Sequence, residues 1–217
     1  MAFMTIDKSA AGVTEKDGSK YINTSGIYPV KINFASVVQG DNGAVSVTFN
    51  FDYEGGTSTL YGLGIKNNDG SDNFRKPILN KLAIIAGLEG SIADPVTETR
   101  TVGKDKTAKE FMVLQDFTGL ECLVRVKQTY SLYNGKLQDR KTIEGFYRLD
   151  GATAEEIINN TEIGVKLKKD KEYADVVIYD NGLTEEKVKE LKKASANGTA
   201  ASATASTTKA PTANPFA

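Results

Sequence analysis

Two stretches early in the chain alternate strictly between apolar and polar side chains. Tyr28, Val30, Ile32 and Phe34 interleave with Pro29, Lys31 and Asn33; Val45, Val47, Phe49, Phe51 and Tyr53 interleave with Ser46, Thr48, Asn50 and Asp52. A period of two marks a half-buried strand, so both stretches are predicted strands, with Tyr28, Phe34, Phe49 and Phe51 expected in the core. Gly40-Asp41-Asn42-Gly43 between them suits positive φ and predicts a hairpin. A third strand is predicted over 59–66, with Gly62 and Gly64 on one face, where missing side chains permit sharp coiling. Residues 74–88 then change to helical spacing, with Ile78, Leu82, Ile85 and Leu88 as the apolar stripe and Pro77 tolerated in the first turn. The polar stretch 91–119 is long for a connection and contains a strand-like 110–114, which predicts a protruding ribbon or mobile loop.

The clearest local signal is 120–133, then Asn134-Gly135, then 136–149: two strands joined by the dipeptide best suited to a two-residue type I′ turn. Such a turn sets register. With Tyr133 opposite Lys136, Lys127 falls opposite Thr142, Arg125 opposite Glu144 and Leu123 opposite Phe146. One face then carries Cys122, Val124, Val126, Leu132, Leu137 and Ile143. The other carries Arg125, Lys127, Tyr133, Lys136, Arg140 and Phe146, interleaving cations with rings. Beyond Asp150 the pattern predicts a short helix over 154–159, a basic run at Lys166-Leu167-Lys168-Lys169, a strand over 174–179, and a helix over 184–193 capped by Thr184.

The predicted fold class is mainly β: three strands, a helix and two further strands are the order of a five-stranded OB barrel, with the helix between strands three and four. Residues 21–150 are expected to form this nucleic-acid-binding domain. A flexible segment (1–20) would precede it, and an extension (151–193) would pack on the barrel. The Ala/Ser/Thr-rich 194–217 is expected to be a disordered tail.

Composition narrows the chemistry. The 217 residues include no histidine, no tryptophan and a single cysteine, Cys122, which excludes Ser/His/Asp and Cys/His catalysis and every zinc pattern built on His or paired Cys. The acidic residues are scattered singly, and no P-loop or G-x-G-x-x-G pattern is present. The expectation is therefore a non-enzymatic protein with no cofactor and no metal. An acidic-residue nuclease would need a carboxylate cluster that the sequence does not offer. The lone cysteine, expected to be buried and inert, and the lack of a secretory leader pattern favour a reducing, cytoplasmic location. No apolar run is long enough to span a bilayer.

Net charge is −1, so charge distribution rather than total charge has to point to a partner. Between Gly119 and Arg148 six basic residues face three acidic ones. Single strands are held by cations that follow the phosphates and by aromatic faces on which bases stack. The candidate phosphate contacts are Arg125, Lys127, Lys136 and Arg140, with Lys31 on the outward side of the first strand. The candidate stacking rings are Tyr133, Tyr61, Tyr53 and Phe146. Two alternatives stand beside these assignments: Arg125 and Glu144 as a simple cross-strand ion pair, and Phe146 covered by the C-terminal region.

Over 26–149 the chain also resembles phage-encoded single-stranded-DNA-binding proteins. The likeness is carried by Gly26-Ile27-Tyr28-Pro29-Val30-Lys31-Ile32, the hairpin from Asp52-Tyr53 to Tyr61, the helix core at 82–88, Asp116-Phe117-Thr118-Gly119-Leu120 and Tyr133-Asn134-Gly135-Lys136. The resemblance implies sequence-independent binding of single-stranded DNA during phage replication or recombination. It also implies a tail that contacts replication or recombination proteins, here through Pro215 and Phe216. Such tails often carry an acidic run before a terminal Pro-Phe; here Ala217 follows Phe216, and no Asp or Glu occurs after Glu190. A homo-oligomer is compatible with all of this. The competing expectation is a phage structural or adaptor protein using the barrel for protein contact.

Overall fold

The computed structural model describes residues 21–102 and 107–196, except for the side chains of Tyr61 and Ala196. The expected flexible segment 1–20 and the tail beyond 196, including Pro215 and Phe216, lie outside the described residues. The chain is mainly β, with eight strands among the described residues rather than five. They are β1 (Gly26–Gln39), β2 (Val45–Tyr53), β3 (Gly56–Lys66), β4 (Val96–Val102), β5 (Thr107–Val113), β6 (Glu121–Tyr133), β7 (Lys136–Tyr147) and β8 (Ile178–Tyr179). The helices are α1 (Lys76–Ile85), α2 (Ala154–Asn159), α3 (Val165–Lys171) and α4 (Glu185–Ala196).

Contacts divide the described residues into two units: those up to Lys127 with Lys141–Val176, and Gln128–Arg140 with those from Val177 to Ala196. This differs from the expected partition. The extension after Asp150 is shared between the units, and α4 continues through 194–196, where the tail was expected to begin.

In the larger unit β1 is the hub of a curled sheet. Antiparallel β2 lies along one edge; on the other, β6 pairs with its first half and β5 with its second. The β1–β2 loop closes through Gly40 N to Ala44 O (2.8 Å), with Gly43 at φ +82°. The β2–β3 turn places Glu54 (φ +51°) and Gly55 (φ +75°) between the paired Tyr53 and Gly56.

Two of the register shifts among the described strands reposition side chains that the alternation seen in the sequence had placed. In β1 the register shifts between Ile32 and Phe34. Ala35 thereby joins the core, while Phe34 turns to the other side and is buried against Phe111, with ring centroids 5.0 Å apart. Phe34 is buried as expected, though outside the main cluster, because an extra residue in one strand reverses every side chain after it. In β3 the shift lies opposite Thr48, where Gly62 takes φ +76°, so Leu60 and Leu63 both face inward.

Helix α1 buries Leu79, Leu82 and Ile85 and starts two residues later than expected, with Pro77 in its first turn. It ends as Gly87 enters the left-handed region (φ +74°) and Leu88 N bonds back to Ala83 O, the pattern that satisfies terminal carbonyls. The long polar connection is an antiparallel ribbon, β4 against β5, whose tip at 103–106 is outside the described residues. Phe49, Phe51, Phe117, Val124 and Val126 form the centre of the core.

After β7 a capping box opens α2: Thr153 Oγ1 accepts from Glu156 N (3.2 Å), and Glu156 accepts from Thr153 N (2.9 Å). The same carboxylate accepts from Gly164 N and Lys166 N at the start of α3. Burial raises the Glu156 pKa, but these backbone N–H donors outweigh it and hold the carboxyl below its ordinary range.

In the smaller unit the end of β6 pairs in parallel with β8 through Thr129 with Ile178 and Tyr130 with Tyr179. The expected strand at 174–179 is reduced to these last two residues. Tyr130, Leu183 and Val188 make the unit's own small core. Thr184 Oγ1 accepts from Lys187 N (3.3 Å) at the start of α4, the capping role expected of it. No helix among the described residues is long and apolar enough to cross a membrane.

Candidate nucleic-acid interface

Asn134 (φ +50°) and Gly135 (φ +72°) have the two positive φ angles that a type I′ turn demands, and this turn presents the end of the β6–β7 hairpin. Within the smaller unit Tyr133 is 69% exposed, and Lys136 and Arg140 are exposed without an ion pair among the described residues. Gln128 is fastened below them, donating to Asp139 (2.8 Å) and to the Tyr130 hydroxyl (2.7 Å). Lys192 lies over the Tyr130 ring, 4.5 Å from its centroid. Three of the expected contacts are thus exposed on one hairpin, Tyr133 and Lys136 at its turn and Arg140 four residues along β7.

The remaining expected contacts belong to the larger unit and fare differently. Cys122, Val124 and Val126 are buried, so Arg125 and Lys127 fall on the opposite face of β6 as the alternation requires. Thr142 Oγ1 donates to Lys127 O (3.4 Å), which matches the register set by the turn. Arg125, however, is held inward by Asp170 of α3 at 2.7 Å. Asp170 also accepts from Tyr147 Oη (2.6 Å) and from Lys166 Nζ (2.5 Å). Burial raises the Asp170 pKa, but the bonds from Lys166 and Tyr147 and the Arg125 charge outweigh it and lower the carboxyl below its usual range. Burial, then Asp170, push the Tyr147 phenol up. Arg125 therefore fastens α3 to the sheet rather than facing solvent as a phosphate contact. Its expected alternative partner, Glu144, instead accepts from Thr142 and lies 3.9 Å from Arg75.

Phe146 is corrected as a stacking candidate. It is 4% exposed and packs on Phe49 with centroids 5.4 Å apart. Strict alternation would set it opposite Ile143, yet both belong to the main core, so the alternation breaks between them. Lys31 is exposed but lies in register between Asp52 on β2 and Glu121 on β6, and cross-strand partners share a face, so two carboxylates offset its charge. Tyr53 is half-buried, edge-on to the Tyr28 ring at 5.3 Å. Tyr61 lies in β3, and its side chain is outside what is described. Lys166 of the basic run is paired with Asp170, while Lys168 and Lys169 lie in the last turn of α3, where positive charge suits the helix dipole.

One feature of the larger unit has no counterpart among the expected sites. A cleft of about 810 Å³ lies against the face of β1–β3 that carries Phe34, walled by the end of β4. Its lining includes Tyr21, Asn33, Phe34, Asn50, Thr59 and Arg100, and no carboxylate. Asn33 Nδ2 donates to Asn50 Oδ1 (3.0 Å), and Asn50 Nδ2 donates to Thr59 Oγ1 (3.0 Å), giving a polar ladder across three strands. The Arg100 guanidinium sits 5.9 Å from the Phe34 ring centroid and pairs with Glu98. The available sequence signal was Asn33, Asn50 and Thr59 at outward positions of successive strands, but their alignment depends on the β1 bulge.

Cys122 is fully buried, and burial pushes its thiol up to about 12. It is therefore expected to resist a thiol reagent such as DTNB at pH 8 in the native protein and to react fully once denatured. Stoichiometric reaction without denaturant would contradict the burial. Among the described residues no group of three or more His, Cys, Asp or Glu could hold a metal ion. No protein-family model matches the chain, and no curated protein is significantly similar to it.

Proposed function

We propose that this protein binds single-stranded DNA without sequence preference, protecting strands during phage replication or recombination. The observation that carries the reading is the hairpin end: an exposed Tyr133 ring at a type I′ turn, with the exposed Lys136 across the turn from it and the exposed Arg140 four residues along β7. A ring supplies a face for any base, and a cation neutralises any phosphate, so neither selects a sequence. The finer fold reading supports it. Strands β1, β2, β3, β6 and β7, with α1 after the third and β1 paired to both β2 and β6, follow the order of an OB barrel into which the β4–β5 ribbon is inserted. Pro215 and Phe216 are proposed as the anchor for a replication or recombination partner.

Titration with oligo(dT), followed by tyrosine fluorescence, tests the reading, since nine tyrosines and no tryptophan leave that signal unobscured. Affinity should fall steeply with salt. Tyr133→Ala should weaken binding by about 1–3 kcal/mol, and Arg140→Ala should reduce the salt slope by about one. Single-stranded DNA should shift more strongly than duplex in a mobility assay. Fluorescence and mobility both unchanged by oligonucleotide at low salt would end this reading in favour of a protein-contact module.

A further inference from the structure

We infer that the protein pairs with a second copy of itself through the Phe74 corner of the larger unit, each chain's Phe74 ring entering the pocket beside α1 of the other. The inference stands apart from the single-stranded-DNA reading and uses none of the hairpin-end residues. Three observations on one surface carry it.

The first is the knob. Phe74 is 87% exposed, on the residue pair that leads into α1. Single exposed apolar residues are common on protein surfaces, but here both chain neighbours are fastened. Asn73 N donates to Ile65 O (3.0 Å), and its Nδ2 donates to Asn67 Oδ1 (2.8 Å). Arg75 N donates to Asn73 Oδ1 (3.0 Å), and its guanidinium donates to Ile143 O on β7. The ring is therefore held out from a fixed backbone, and little ordering entropy is left to lose when a partner covers it.

The second is the hole. A pocket of about 200 Å³ lies between α1, β7, α2 and α3, and its apolar lining comes from Pro77, Ile78, Gly145, Phe146 and Ala154. A cavity of ~150 Å³ is enough for benzene, so this one accommodates a phenyl ring. Gly145 keeps it open. Its φ is not positive, and a Cβ there would meet nothing within 4 Å, so neither the backbone angle nor contact with this chain requires glycine. A glycine inside a strand weakens it and often marks a place where another group approaches closely.

The third is self-complementarity. Phe74 precedes Pro77 by three residues, so knob and hole belong to one patch, as a two-fold interface demands. With its ring in solvent, Phe74 does not fill the pocket of its own chain. The charges around the patch are already neutralised within the chain: Lys76 by Asp72 (2.8 Å), Lys81 by Glu155 (2.6 Å), and Arg125 and Lys166 by Asp170 (2.7 and 2.5 Å). Two copies of the patch therefore meet without the like-charge repulsion that would exclude such a contact.

The test follows the mass of the full chain, without DNA, by sedimentation velocity. The mass should rise from monomer toward dimer with protein concentration. Phe74→Ala and Gly145→Val should each weaken pairing about tenfold or more, with the melting temperature unchanged for the first and unchanged or raised for the second. Mixing the two variants should restore part of the pairing, because one chain then supplies the ring and the other the pocket. A monomer at every concentration, or a dimer indifferent to both substitutions, would overturn the inference. Full pairing in Gly145→Val, or mixtures no better than either variant alone, would overturn the pocket as the destination of the ring. A monomeric chain whose pocket binds a 210–217 peptide, with binding lost in Gly145→Val, would give the pocket to the chain's own C-terminal segment and likewise overturn the pairing.

Discussion

Phe49→Ala is expected to destabilise the protein by about 3–5 kcal/mol, the range for truncating a fully buried aromatic ring. Phe49 is 0% exposed, lies parallel to Phe51 at 5.7 Å and meets Phe146 at 5.4 Å. Its removal deletes both ring contacts and leaves a hole between β2 and β7 that strands fixed by their ladders cannot collapse to fill. Against a typical total stability of ~5–15 kcal/mol, the variant should sit near the limit of folding. Urea denaturation checks this: the midpoint should fall sharply while the slope stays close to that of the parent. Tyr133→Ala, at an exposed turn, should stay within about 0.5 kcal/mol of the parent. A loss under 1 kcal/mol for Phe49→Ala would mean that the three rings do not form the centre of the core.

Asp170→Asn is expected to cost about 3 kcal/mol. Side chains of Arg125 and Asp170 are only 21% and 11% exposed, and removing one partner of such a pair strands the other charge in a poorly solvated place. The usual cost is ~3–5 kcal/mol, with the lower end fitting a guanidinium that keeps some solvent. The pH dependence follows from the depressed Asp170 carboxyl. A carboxylate whose folded pKa lies below its unfolded value contributes fully above the unfolded value, and that contribution is lost as pH falls through the folded one. The parent should therefore lose this part of its stability below about pH 4, and Asp170→Asn should show a shallower acid limb over that window. Parallel acid limbs for the two proteins would refute the role given to Asp170. Because Arg125 is engaged here, Arg125→Ala should lower stability first, and any loss of DNA affinity in that variant has to be judged at matched folded fraction.

The elements readable from the chain were those whose signals are local. The Asn134-Gly135 turn followed from two residues needing positive φ, the α1 stripe from 3.6-residue spacing, and the Thr184 helix start from a side chain that reaches only a few residues away. The buried side of β6 followed from its unbroken alternation. Tyr133 and Lys136 were legible as a pair for the same reason, a two-residue turn setting them opposite each other, and Arg140 was legible as a third residue further along the same face of the hairpin.

What failed was alternation carried across a bulge. One extra residue near Asn33 set Phe34 outside the main cluster, and a break in alternation between Ile143 and Phe146 took Phe146 into the core. No residue type near Asn33 marks the first shift, whereas Gly145 offered a signal for the second, since a glycine inside a strand often marks a bulge. Arg125 was misassigned for a related reason. Its face was placed correctly, but its partner, Asp170, is 45 residues away on a helix whose docking is a property of the packed chain.

By itself, then, the amino-acid order determined the β1–β2 and Asn134-Gly135 turns, the places of α1, α2 and α4, the inward side of β6 and the absence of histidine and paired-cysteine chemistry, since each depends on residue type or on neighbours within one turn or one hairpin. Only tertiary structure decided which cations stay available and which are consumed internally, that Phe34 and Arg100 meet across β1 and β4, and that Asn33, Asn50 and Thr59 align into one polar floor. Those outcomes depend on strand register and on close packing between residues far apart in the chain. A shift of one residue anywhere along such a path reverses them.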